Sequence, residues 1–104
     1  ELKRLIRIHR AYQHANKGDY YMELNQIDNA LTEYNKASKY YPENPELPYW
    51  SAVALVNGGR INEALPIFKA VFKSNPNLKK MTPRLIKSGL LIDDEKVLKK
   101  IMMQ

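Results

Sequence analysis

Thirty-four residues separate Ile27 from Ile61, and the same interval joins Ala30 to Ala64, Leu31 to Leu65, Tyr34 to Phe68 and Pro42 to Pro76. Upstream, Gly18 pairs with Ala52 and Tyr21 with Leu55 at that offset. Apolar, small and proline classes recur together. A repeated unit of this length cannot bury its apolar face alone, so neighbouring units must stack and share one elongated core. Within each period the apolar residues fall at helical spacing, which makes the stacked unit a pair of helices.

The spacing predicts a first helix over about Leu2 to Leu24, with Leu5, Ile8, Tyr12, Ala15 and Tyr21 on its apolar side. It is longer than one repeat helix, so Leu2 to Arg10 reads as an N-terminal extension. Asn25 suits the N-cap of a second helix, with Asp28 in its first turn. That helix carries Ile27, Ala30, Leu31, Tyr34 and Ala37 on one face and ends near Tyr40, before Pro42. Asn44-Pro45 reads as an N-cap followed by proline at the first helical position. The third helix then runs to Asn57-Gly58-Gly59. A fourth, over about Ile61 to Lys73, buries Ile61, Ala64, Leu65, Phe68 and Phe72, and Pro66 inside it predicts a bend. Thr82-Pro83 reads as the start of a short fifth helix stopped at Gly89. Asp93-Asp94-Glu95 opens a last one with Val97, Leu98, Ile101 and Met102 inward.

The period and the residues on it resemble the tetratricopeptide repeat. That family's pattern has Gly-x2-Tyr late in its first helix, and this chain has Gly18-Asp19-Tyr20-Tyr21. The pattern has Ala-x3-Phe in the second helix; here Ala30-Leu31-Thr32-Glu33-Tyr34 and Ala64-Leu65-Pro66-Ile67-Phe68 stand. Pro42 and Pro76 close the units. The chain departs from the pattern where a Trp and a Leu are wanted: His14 and Lys17 stand there in the first unit, Pro48 and Ser51 in the second. The last small residue is Ala37 in one unit and Val71 in the other. The resemblance implies an all-α superhelix of two helix-turn-helix repeats, about residues 11–44 and 45–78, with capping helices over about 79–104, all in one domain of residues 1–104.

Three further stretches extend the comparison: Leu5-Ile6-Arg7-Ile8-His9-Arg10-Ala11-Tyr12, Asn57-Gly58-Gly59-Arg60-Ile61-Asn62-Glu63-Ala64-Leu65-Pro66 and Gly89-Leu90-Leu91-Ile92-Asp93-Asp94. Together they resemble the C-terminal domain of a bacterial family whose N-terminal part is Ntn-hydrolase-like. That domain has been labelled peptidoglycan-binding. The resemblance implies a bacterial protein of the cytoplasm or cell envelope, with the nucleophile of any hydrolase upstream. A first residue Glu1 in place of Met fits a piece of a longer chain.

Little in the sequence points to chemistry. There is no cysteine, hence no thiolate metal site and no thiol nucleophile. His9 and His14 are five apart, about 140° around a helix, where a metal pair wants three or four residues. Gly58-Gly59 lacks the spacing and lysine of a phosphate loop, and no serine sits in a Gly-x-Ser-x-Gly elbow. No catalytic group, metal or cofactor is expected.

The function the repeat implies is binding by shape. The first helix of each pair lines the concave face of such a stack. By analogy with the family, the candidates in the first unit are Tyr12, Asn16, Asp19 and Glu23, and in the second Tyr49, Trp50, Val53 and Asn57. Tyr49 and Trp50 stand out as anchors, since aromatic rings offer large, rigid contact area. The expected partner is a protein, a peptide or an upstream domain of the same chain. The alternative is a cell-wall glycan such as peptidoglycan, stacked on the same two rings. The net charge of +6, concentrated towards both ends, gives nucleic acid a third place. Where relatives grip a peptide carboxylate with Lys and Asn, Ala15 and Asp19 stand here, which argues against that mode.

Overall fold

The computed structural model describes residues Glu1–Gln104 and contains six helices and no strand. They are α1 (Leu2–Glu23), α2 (Ile27–Tyr40), α3 (Glu46–Asn57), α4 (Ile61–Ser74), α5 (Pro76–Lys87) and α6 (Glu95–Met102). Each of the first four packs on the next, α1 on α2, α2 on α3, α3 on α4 and α4 on α5, while α6 returns to α4. Such nearest-neighbour packing is what the 34-residue period requires. The result is elongated, 44 × 30 × 22 Å. No helix is long and apolar enough to cross a membrane.

The register pairs do the same work in both units. Ala11, Ala15 and Gly18 on α1 and Ala30 and Ala37 on α2 are all buried, so small side chains let the two backbones close together. Tyr34 and its register mate Phe68 are buried between helices. The second unit holds the larger core. Tyr49, Ala52, Val53, Leu55 and Val56 from α3 meet Ala64, Phe68, Val71 and Phe72 from α4, closed over by Leu78, Leu85, Leu91 and Ile101. Trp50, half-buried, packs against this cluster and against the smaller one of Ala30, Tyr34 and Ala54, so it ties the units together. On the surface, the Arg60 guanidinium bonds Glu63 at 2.6 Å and Asp28 at 3.1 Å, joining the starts of α4 and α2.

One stop signal ends α1, α3 and α5. Asn25, Gly59 and Gly89 have φ of 58°, 79° and 76°. Around each, two backbone bonds close the helix: Asn25 N–H to Met22 and Gln26 N–H to Tyr21, then Gly59 to Val56 and Arg60 to Leu55, then Gly89 to Ile86 and Leu90 to Leu85. This is the Schellman arrangement, which needs a left-handed residue just past the helix end. Asn25 therefore terminates α1 and is not the N-cap of α2, a place taken by Gln26 without a side-chain bond.

The other boundary that differs is the start of α5. Thr82-Pro83 does not open a helix: α5 begins at Pro76, capped by the Asn75 side chain, which accepts from the Asn77 N–H at 3.2 Å. Before α3 the Asn44 side chain makes the same kind of bond, accepting from Glu46 N–H at 3.0 Å, but the N-cap position itself is held by Pro45, in the α region, and not by Asn44. Thus α5 is framed as α3 is, by Asn-Pro at one end and a left-handed glycine at the other. Thr82 lies inside the helix, fully buried, and its hydroxyl donates to Leu78 O at 2.8 Å. Pro66 and Pro83 sit within α4 and α5 and neither ends its helix. Gly89 is the stop that its sequence context predicts, and Asp94 caps α6 by accepting from Lys96 and Val97 N–H.

Candidate functional site

Two regular features decide which side chains a partner could reach. α1 has 22 residues and α2 has 14, about 33 Å against about 21 Å of helix. Arg7 donates to Tyr40 O at the last turn of α2, so the turns of α1 before Arg7 run past the end of its partner. At the other end of the array α5 and α6 close over the core. The uncovered apolar surface is therefore concentrated on α1 and at its exit.

The eight residues singled out by sequence divide between these regions. Tyr12 is 46% exposed, and Asn16, Asp19 and Glu23 are exposed too, all on α1. Tyr49 and Val53 are not reachable: they are 0% and 1% exposed. The Tyr49 ring sits edge-on to Phe68 at 5.9 Å and to Trp50 at 5.3 Å, and its hydroxyl meets the Thr82 hydroxyl at 2.9 Å. Burial raises the Tyr49 phenol above its usual range. The expected anchor is thus core, because Phe68 and Phe72 of α4 and Thr82 of α5 close around it. It offers no ring face to a peptide or a sugar.

Two further candidates are held by bonds within the chain. Asn57 is half-buried; its Nδ2 donates to Leu90 O at 2.9 Å and its Oδ1 accepts from Ile92 N–H at 3.0 Å, fixing the segment between α5 and α6. Asp19 is solvent-exposed but accepts from the Tyr34 hydroxyl at 2.6 Å. Burial, and then the Asp19 carboxylate, push the Tyr34 phenol far above its ordinary value. Trp50 keeps partial exposure while packing between units.

What remains open is a strip of α1. Leu5, Tyr12, Asn16, Tyr20 and Glu23 succeed one another at spacings that keep them on one side of a helix. Leu5 is 60% exposed and Tyr20 59%. Leu2, Ile6 and Leu24 extend the exposed apolar surface at its two ends. Leu5 and Tyr12 were expected on the packed side with Ala15; both are exposed instead, Tyr12 lying beside Tyr41 at the end of α2, because Ala11, Ala15 and Gly18 make the close contact. Tyr20, Leu2 and Ile6 carry no motif, and sequence reasoning passed over them. The overhang of α1 beyond α2 is the signal that exposes Leu2 and Ile6.

Beside that strip lies the seam between α1 and α2. His14 stacks on Tyr40 with ring centres 5.6 Å apart and planes at 7°. Its Nδ1 is 3.1 Å from Glu33 Oε1, and Lys36 Nζ is 3.5 Å from Glu33 Oε2. Burial acts to raise the Glu33 carboxyl, but the bonds and charges of His14 and Lys36 outweigh it and hold the group below the usual range. No cluster of three or more His, Asp or Glu side chains is placed to hold a metal ion.

Residues 18–59, from the packing glycine of α1 to the stop glycine of α3, match a family model described as a TPR repeat. No curated protein and no solved structure matches the chain.

Proposed function

We propose that this chain, a helical array of the tetratricopeptide-repeat type, is a non-catalytic interaction module that docks a protein or peptide along the outer strip of α1. The observation that carries this reading is that strip itself: Leu5, Tyr12 and Tyr20 stand between 46% and 60% exposed along one side of a helix whose opposite side is packed. Exposed apolar side chains grouped on one element of a small domain mark contact surfaces more often than scattered ones do. Asn16 and Glu23 lie on the same strip and supply the polar contacts that fix register, while Tyr12 and Tyr20 supply ring area.

The Tyr12 hydroxyl accepts a bond from Asn44 Nδ2 at 3.3 Å, and its ring stands edge-on to Tyr41 at 6.4 Å. These contacts hold one anchor in place before a ligand arrives, which lowers the entropy lost on binding. Selection of peptides from a displayed library on the isolated domain, followed by chemical-shift mapping, tests the reading. Peptides that move Tyr12, Asn16, Tyr20 and Glu23, and lose affinity for the Tyr12→Ser/Tyr20→Ser variant, support it. Peptides that bind that variant unchanged refute it. Muropeptides titrated in parallel transfer the surface to a glycan ligand if they alone move the α1 resonances.

A further inference from the structure

His14 and Lys17, the two departures from the repeat pattern in α1, lie on the seam with α2 and leave it open. Lys17 is exposed and His14 half-buried, so neither plugs the space between the helices. Two cavities of about 530 and 380 Å³ adjoin at His14 and Tyr40. Arg10 and Lys17 line the first, Lys36 and Lys39 the second, and no acidic residue lines either. Among the chain's ion pairs, Arg10, Lys17 and Lys39 have no carboxylate partner. The Arg10 guanidinium carbon lies 6.0 Å from the Tyr40 ring centre, a cation–π distance that orients it without neutralising it.

The end of α2 explains Lys39, in its last turn, and not the others. The last carbonyls of a helix attract positive charge, and Arg7 already donates to Tyr40 O. Glu33, buried beside the seam, is taken by His14 and Lys36. What is left is an excess of positive charge around a ready-made opening with an aromatic wall.

We propose that the larger of these two openings binds a multiply charged oxyanion of the phosphate type, held by Arg10 and Lys17, with Lys36 and Lys39 of the adjoining opening adding to the positive field. Guanidinium and ammonium groups donate to phosphate oxygens with charge-assisted bonds. Tyr40 and His14 form the rigid wall against which the rest of the ligand lies. The site shares Asn16 with the outer strip of α1, but its charged groups, its His14 and its Tyr40 lie off that strip.

Pyrophosphate titrated into the domain at constant ionic strength, followed by chemical shifts, is the test. The expected result is saturable movement of Arg10, His14, Lys36 and Tyr40. The Lys17→Gln/Lys39→Gln variant, both positions exposed, should bind about tenfold more weakly, a loss of about 1.4 kcal/mol. Lys79→Gln/Lys80→Gln removes the same charge from α5 and should leave binding unchanged. Absence of saturation, or equal weakening in both variants, overturns the site and leaves only general attraction to a basic chain. A phosphoserine peptide and a nucleoside diphosphate, compared under the same conditions, separate a modified protein from a free metabolite as the source.

Discussion

The Tyr34 ring occupies the space in which a β-carbon on Gly18 would stand. An ideal Cβ there lies 2.5 Å from Cε1 and 2.7 Å from Cδ1 of the ring. The ring cannot easily retreat, being 2% exposed with its hydroxyl fixed on Asp19 at 2.6 Å. Gly18→Ala gains about 1 kcal/mol of helix propensity, but overpacking a rigid site costs about 1–3 kcal/mol. We expect the steric cost to win and the urea midpoint to fall. In a Tyr34→Leu background the same substitution should become favourable. A stabilising Gly18→Ala in the native background would show that the ring has room to move.

The two partners of the buried hydroxyl pair should respond unequally. Thr82 donates its only hydroxyl proton to Leu78 O, so the Tyr49 hydroxyl is the donor in the 2.9 Å bond between them. Tyr49→Phe keeps the ring and leaves only a spare lone pair on Thr82, for a loss of about 1 kcal/mol or less. Thr82→Val strands a buried donor and should cost about 1–3 kcal/mol. Equal losses on urea unfolding would mean that the Tyr49 hydroxyl has another acceptor.

That pair also shows where sequence reasoning reached its limit. Ala30, Ala64, Tyr34 and Phe68 were legible because repetition fixes which size class belongs at each core position. The burial of Tyr49 was not, because it depends on α5, which follows the repeat only in its end signals. Asn75-Pro76 and Thr82-Pro83 carry the same start signal seven residues apart. Pro76 was already assigned to closing the previous unit, so the later pair took its place. Pro83 lies inside α5 without ending it, so the second pair was not a start. Asn25 suits both an N-cap and a left-handed helix stop; Gly59, one period later, identifies the second role. On the candidate face, Tyr12, Asn16 and Glu23 were found by analogy, whereas Tyr20 needed the helix to be seen with one side bare.

Acid should weaken the first unit through Glu33. Its carboxyl is held below the usual range in the folded chain, with burial opposed and outweighed by His14 and Lys36. A depressed folded value means that the stabilisation is complete above the unfolded value of about 4.3 and is lost as pH falls through the folded one. Glu33→Gln removes this dependence. The urea midpoints of the two proteins should therefore differ at neutral pH and converge in acid. A difference that stays constant across the range would show that Glu33 acts by packing alone.

The Asn57 amide is a clamp on the tail, and its substitutions should separate clamp from ligand contact. It donates to Leu90 O and accepts from Ile92 N–H, the two polar groups that the turn after Gly89 presents to α3. Asn57→Ala loses both bonds and should cost about 1–2 kcal/mol. Asn57→Asp keeps the acceptor for Ile92 but sets a carboxylate oxygen against the Leu90 carbonyl, so it should not rescue stability. Leu91, within this segment, and Ile101, on α6, are buried in the core, so α6 should loosen without detaching. Amide exchange reads the effect locally: Ile92 and α6 should exchange faster in both variants while α1 and α2 keep their protection. If α6 protection is unchanged, apolar burial at Leu91 and Ile101 alone holds the cap, and the amide pair sets only the path of the chain between helices.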